Sequence, residues 1–267
     1  MTIKINNTQV RLRPSSVDSF YQCSYQWGKT FLEGITTIPN ARAAIGTSIH
    51  KAAEVLWTEA IATGKKDANL GKLTDAAIAA WKEETHDGVK FDDGENDKTA
   101  AIEIMKGTET FIEDIVPFSS IPDAVEQRFT IPLTNPIVTD LSGTVDYIAG
   151  DIIADVKTSK RKPVVESYTV QQSIYRLLAN HNGKDVKRSL IQGIVLKAQP
   201  EGMILPLEVN LPQAKSLVNG ILATMELIAS DKAPIETILR GNPKYYLCSN
   251  KYCALHSTCP WVNGDAN

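Results

Sequence analysis

Apolar residues up to about position 117 recur at helical spacing, whereas from 124 onward they cluster or alternate as in strands. Ser15 and Asp18 fit a capping box for a helix running to about Glu33 through Val17, Phe20, Tyr21 and Phe31 and stopping at Gly34. Thr47 or Ser48 is placed to cap a second helix to about Thr63, through Ile49, Ala52, Ala53, Leu56 and Ala60, with His50 in its first turn. Residues 72–86 carry a stripe of Leu73, Ala76, Ala77, Ala80 and Trp81. An acidic, glycine-containing loop leads to a further helix over 97–116 through Ile102, Met105 and Ile112, stopped by Pro117. Strands are expected at 124–133, 136–142, 143–149 and 152–158, then a helix over 163–180, strands at 186–198 and 203–209, and a helix over 212–230 through Leu217, Ile221, Met225 and Ile228. The order predicts an α+β or α/β fold with a small mixed sheet flanked by helices.

Gly150-Asp151 separates two β-branched-rich runs, a two-residue hairpin signal that sets Ala149 against Ile152 and Ile148 against Ile153. Continued outward, that register places Asp146 opposite Asp155, with Lys157 on the face of Asp155 and with Val145, Tyr147, Ala154 and Val156 on the other. Facing carboxylates repel, so such a pair implies a cation between them or a shared proton. Two acidic oxygen donors suit Mg²⁺ or Mn²⁺, and the adjacent ammonium can orient water or steady developing negative charge. A solvated Asp-x-Lys pair is the plainer reading of these residues alone.

Bulk properties narrow the choice. A chain of 267 residues with 43% apolar content can bury one large core, and a net charge of −3 argues against a general histone-like nucleic-acid binder while leaving room for a local basic groove. The polar N-terminus has no signal-peptide run, and no segment has the apolar length of a membrane span, so the expectation is a cytoplasmic protein. In that compartment four cysteines are not expected to form disulfides. Cys248, Cys253 and Cys259 lie close together in a tail of little periodicity, and Cys23 is remote; together they make a tetrahedral set for zinc or an iron–sulfur cluster. The absence of C-x2-C knuckles tilts the choice to a 4Fe-4S cluster, with zinc the alternative. Binding it would clasp the two chain ends together.

The joint pattern resembles the RecB-like nucleases of the PD-(D/E)XK superfamily, and more narrowly the iron–sulfur branch seen in the AddB helicase–nuclease subunit, CRISPR adaptation exonucleases and many phage proteins. The pieces are Ser-x4-aromatic-x2-Cys at 15–23, Gly-Thr-x-x-His at 46–50, Glu126 in Val-Glu-Gln-Arg-Phe, and Gly-x-x-Asp at 143–146. Asp-x-Lys-Thr at 155–158, Gln-x3-Tyr at 171–175 and the cysteine triplet complete it. Two features depart from the common pattern: Asp155 stands where the wider superfamily more often has Glu, and the first cysteine gap is four residues rather than two.

The resemblance implies a single domain over 1–267 with a restriction-endonuclease-like core: a mainly helical part at 11–117, the nuclease core at 124–230, and a cluster-binding tail at 231–267 that joins Cys23. It implies metal ligation by His50, Asp146, Asp155 and the Val156 carbonyl, with Glu126 either reaching a second metal or hydrogen-bonding around the first. Lys157 would position the attacking water, and Gln171 and Tyr175 would support the site and contact DNA. The basic run that leaves the hairpin, Lys160, Arg161 and Lys162, is expected to grip backbone phosphates. The implied activity is a metal-dependent DNA exonuclease acting on single-stranded ends in recombination, replication or repair, beside a recombinase, an annealing protein or a helicase. The alternatives are a nuclease that trims DNA in CRISPR spacer acquisition and a non-catalytic DNA-binding protein with a relict site.

Overall fold

A computed structural model describes residues 3–264. The first strand, β1 (Val10–Leu12), falls where the sequence suggested only a lead-in to a helix. Three residues are too few to display a period, but Val10 and Leu12 are buried and Arg11 between them is exposed. The single helix expected next is two, α1 (Pro14–Gln22) and α2 (Ser24–Phe31), broken at Cys23, whose backbone is extended. The cap of α1 uses Ser16 rather than Ser15 with Asp18. The Arg13 N–H donates to Ser16 Oγ at 2.9 Å, and the Ser16 hydroxyl donates to the Arg13 carbonyl at 2.8 Å.

α3 (Ala41–Thr63) begins ahead of Gly46, capped by Asn40, whose side chain accepts from the Arg42 N–H at 2.8 Å. Thr47 and Ser48 therefore lie inside the helix, and so does His50, which the shorter helix had placed at an exposed end. α4 (Leu70–Glu84) buries Leu73, Ala77 and Trp81 as the stripe predicts. α5 (Asp97–Thr110) turns the other way from expectation: Ile102 and Met105 are exposed, and Ala100 and Ile104 are buried. Its Gly107 is pressed so close to Ile49 that a Cβ would collide, and this crossing decides which face points inward.

The sheet has six strands. β2 (Ala124–Pro132) pairs antiparallel with β3 (Val138–Ala149), one continuous strand where two were expected. β3 turns at Gly150 into β4 (Ile152–Ser159). After α6 (Thr169–His181), β5 (Arg188–Val195) lies parallel to β4, and β6 (Glu201–Leu207) closes antiparallel on β5. β1 lies parallel to β3. α7 (Leu211–Ala229) follows, burying Ile221, Met225 and Ile228. The architecture is mixed α/β, a six-stranded mixed sheet with helices on both faces.

Two cores result. On one face α1, α2, α6 and α7 pack over Ile148 and Ile153; on the other α3, α4 and α5 pack over Tyr147, Ala154 and Val156. Each fully buried aliphatic side chain contributes about 1.5–3 kcal/mol relative to exposure. Among the described residues the tail forms two short α-helices, α8 (Ile235–Ile238) and α9 (Pro260–Asn263), and a 3-10 turn at His256–Thr258. It docks on α2, with the Tyr25 N–H donating to the Arg240 carbonyl at 3.1 Å and the Trp261 ring 4.7 Å from that of Tyr25. No described helix is long and apolar enough to cross a membrane.

Candidate active site

The site forms where the sheet splits. Leu141 pairs with both Ile131 of β2 and Leu12 of β1; Ile148 pairs with both Ala124 of β2 and Ile153 of β4. β1 and β4 therefore share the edge of β3 that β2 does not use, one at each end. The ladder with β4 stops at Tyr147↔Ala154, one pair short of setting Asp146 opposite Asp155. Instead the Asp146 carboxylate fills the gap, its Oδ2 accepting from the Val156 N–H at 2.9 Å.

A second irregularity aims the side chains. β2 and β3 pair at Val125↔Tyr147 and Gln127↔Val145 but skip Glu126 and Asp146, and Glu126 takes a left-handed backbone with φ 46°. Side-chain alternation slips there. Val145 joins the core of Ile148 and Ile153, whereas Tyr147, Ala154 and Val156 join the other, so the four do not share one face as the regular hairpin predicted. Glu126 and Asp146 are brought towards α3. That helix comes close because Gly46 has no side chain; a Cβ would stand 2.8 Å from Thr158 Oγ1.

His50, Glu126 and Asp146 converge: one ligand atom from each lies within 4.8 Å of the others. His50 Nδ1 is 3.2 Å from Asp146 Oδ2. Asp155 does not join this group within that distance; its Oδ2 faces Lys157 Nζ at 2.6 Å. A small cavity beside the trio, about 10 Å³ and thus room for about one water or ion, is also lined by Trp57 and Gln192. Trp57 Nε1 and Gln192 Oε1 are buried without a hydrogen-bond partner. The donor set of imidazole and carboxylates, next to unsatisfied polar atoms, fits a hard or borderline divalent ion such as Mg²⁺ or Mn²⁺.

Electrostatics separates the carboxyls. Burial alone would raise Asp146, but the His50 charge and hydrogen bond, the Val156 N–H and Lys157 hold it below the usual range. Asp155 is pushed up to about 6 by burial and then by Asp146, against the pull of Lys157. Glu126 is exposed at the surface of the groove, yet lost hydration and the nearby Asp146 push it up to about 7. Burial disfavours the His50 and Lys157 cations, but Asp146 outweighs it for His50 and Asp155 for Lys157, so both are raised.

The trio and Lys157 line an open groove of about 1000 Å³. Gln171 Nε2 donates to the Tyr175 hydroxyl at 3.4 Å, so these two meet as the helical spacing predicts. Lys160 is 3.0 Å from Glu95, which also holds Arg42, while Arg161 and Lys162 are exposed. Tyr168, outside every motif, sets its ring 5.7 Å from Lys157 Nζ; its placement depends on a 3-10 turn at Val165–Tyr168 that no periodicity announces. Away from the groove, Cys23, Cys248, Cys253 and Cys259 line one small cavity as free thiols.

The pattern of the PD-(D/E)XK nuclease superfamily matches residues 11–260. A search of curated proteins returns no match. Among solved structures, the chain is similar to a candidate exonuclease from Eubacterium rectale, with 14% identity over 84% of this chain and 82% of that one and a TM-score of 0.59. At that identity the likeness concerns the fold. A second structure, SSO0001, covers 91% of this chain and 96% of its own at 11% identity, with a TM-score of 0.34, too low to bear on the comparison.

Proposed function

The chain belongs to the PD-(D/E)XK nuclease superfamily, and from that premise we propose that it is a divalent-metal-dependent DNA exonuclease acting on single-stranded ends. The observation that carries this reading is the convergence of His50, Glu126 and Asp146 beside Lys157 in an open groove. In this reading His50, Glu126 and Asp146 hold the ion, with Asp155 and the Val156 carbonyl completing the proposed set. A bound divalent ion supplies Lewis-acid polarisation of the phosphate and a more acidic water.

The chain's own residues do the rest. Asp146 stays ionised across the working range because its hydrogen bonds and neighbouring cations stabilise the carboxylate. Lys157 stays an ammonium, so it serves to orient water and offset phosphate charge rather than to abstract a proton. Asp155 fixes that ammonium in place. Gln171 and Tyr175 present an amide and a hydroxyl, respectively, from the α6 face for substrate contact. Arg161 and Lys162, with Lys160, supply the basic grip beyond the hairpin. The proposed setting is recombination, replication or repair, next to a recombinase, an annealing protein or a helicase.

The test is hydrolysis of end-labelled single- and double-stranded DNA under Mg²⁺ and Mn²⁺ titration. Wild type should shorten labelled ends, with Mn²⁺ at least as effective as Mg²⁺ because an imidazole softens the donor set. Asp146→Asn and Asp155→Ala should each lower the rate about a hundredfold or more. DNA left intact at every metal concentration, or degraded equally by wild type and both variants, overturns the reading.

We also propose that the four cysteines hold a 4Fe-4S cluster, with zinc the alternative. Support comes from their convergence on one cavity, Cys23 from the α1–α2 break and the other three from the tail. Anaerobically purified protein should be brown and contain iron and sulfide; a colourless protein with stoichiometric zinc removes the cluster and leaves the nuclease untouched.

A further inference from the structure

A second pocket, of about 330 Å³, adjoins the catalytic groove and shares Thr144 with it. Strand alternation builds it. Arg11 and Arg13 lie two residues apart and are both exposed, while Leu12 between them is buried. On β2 Arg128 lies two residues past the slip at Glu126 and, like Glu126, is exposed. Three arginines, Arg11 on β1, Arg13 at the cap of α1 and Arg128 on β2, thus line one cavity, together with Ser142 and Tyr175, and no acidic side chain is among the lining residues.

Their partners are few. Arg11 Nε is 3.3 Å from Asp140 Oδ2, and Arg128 Nη2 donates to Ser142 Oγ at 3.4 Å. The Arg13 guanidinium has no partner among the described residues. The floor is backbone: a Cβ on Gly143 would stand 2.8 Å from Pro14 Cγ and 2.9 Å from Tyr175 Cε1. Clustered guanidinia repel one another unless an anion sits among them, and their planar forks match phosphate oxygens.

We propose that this pocket binds a phosphate of the substrate strand, next along the chain from the one held at the trio. Arg13 and Arg128 donate to it, and Ser142 and Tyr175 frame it. The proposal rests on the nuclease reading and deepens it: Arg128 lies only two residues from Glu126 along β2 and the two cavities share Thr144, so the strand is held beside the cut as well as at it. Phosphate in the pocket and the basic run at Lys160–Lys162 then fix the direction in which the strand crosses the groove.

The experiment measures binding of fluorescent single-stranded oligonucleotides in chelator across a salt series, with hydrolysis measured separately in metal. Arg13→Ala with Arg128→Ala is compared with Arg13→Lys with Arg128→Lys and with wild type. Neither arginine has an ion-pair partner among the described residues, and unchanged circular dichroism melting of each variant checks the fold. The alanine pair should weaken binding at least tenfold and lower the salt slope by about 0.7, the value for one single-strand phosphate contact. KM should rise more than kcat falls, and the lysine pair should recover the salt slope in large part. The same difference on 5′-hydroxyl and 5′-phosphoryl oligonucleotides identifies an internal diester; a difference confined to one terminus identifies a terminal monoester, and both support the pocket. An unchanged salt slope and KM in the alanine pair overturns it. Wild type that binds DNA with arginine-dependent slope but never cuts it would remove the nuclease reading and keep the pocket. Wild type that cuts, with arginine variants indistinguishable from it, would do the reverse.

Discussion

Glu126 holds a backbone conformation that costs a non-glycine residue about 1–3 kcal/mol, and it does so at the point where it meets His50 and Asp146. Asparagine tolerates a left-handed backbone better. Glu126→Asn should therefore hold or raise the melting temperature by a few degrees while lowering hydrolysis at least tenfold; lower stability with full activity would show that the strain serves nothing at this site. Elsewhere a carboxylate is stabilised. Burial would raise Glu95, but hydrogen bonds from Arg42, Lys160 and the Asp92 N–H outweigh it and hold its acid at about 2. Its folded acid constant lies below the ordinary value, so its contribution is present above about 4.5 and is lost as pH falls towards 2. The melting-temperature gap between wild type and Glu95→Gln should be full at pH 6 and shrink on titration to pH 3; a gap that widens in acid contradicts the assignment. At this scale the sequence was partly readable. Asp146, Asp155 and Lys157 stood out by type and spacing, but the positive φ of Glu126 depends on a skipped ladder pair that no local pattern records.

The elements were legible where the period was long and the face uniform, as in α4 and α7. They were not legible where a neighbour decides. α5 buries Ile104 rather than Ile102 because Gly107 fixes its crossing with α3, and α3 extends through Gly46 because that glycine faces Thr158 rather than ending a helix. Glycine within a helix disfavours it by about 1 kcal/mol, so reading Gly46 as a boundary was sound local reasoning overruled by tertiary contact. The contact makes a prediction. Gly46→Ala should cost about 1–3 kcal/mol and reduce activity, since α3 must retreat from β4 and carry His50 with it. Thr158→Ala removes the atom it strikes, so the double variant should recover stability and activity towards those of Thr158→Ala alone. Additive losses in the double-mutant cycle would mean that the two positions do not meet.

At the scale of the whole molecule, the sheet divides two cores, and its split edge lies where α3 from one core lines the active groove and α6 from the other lines the adjoining pocket through Tyr175. The sequence could forecast the mixed sheet but not the split, because the split needs β1, a three-residue strand, to take the far end of β3. The tail is different: among the described residues, apart from Leu239, Cys259 and Pro260, it buries little and leans on the α1–α2 break. There Asn242 Nδ2 donates to the Gln22 carbonyl at 2.9 Å, and Tyr245 Oη lies 2.5 Å from Gln22 Oε1. Cys23 stands at that break, so a group held by the four thiols, as proposed above, would join the two ends across most of the chain, and closing so long a loop restrains the unfolded chain strongly. Leu247 and Tyr252 of the tail also wall a second cavity that contains Lys160, which ties the clasp to the basic end of the groove. Cys253→Ser should therefore expose residues 240–258 to limited proteolysis well before the sheet unfolds, with far-ultraviolet dichroism almost unchanged. It should also weaken DNA binding more than it slows single-turnover cleavage of bound DNA. Stripping the metal from wild type should reproduce both effects. A tail equally resistant in wild type, stripped protein and Cys253→Ser would mean that Tyr25, Trp261 and Leu239 hold it by packing alone, and that the cysteines do not join the chain ends.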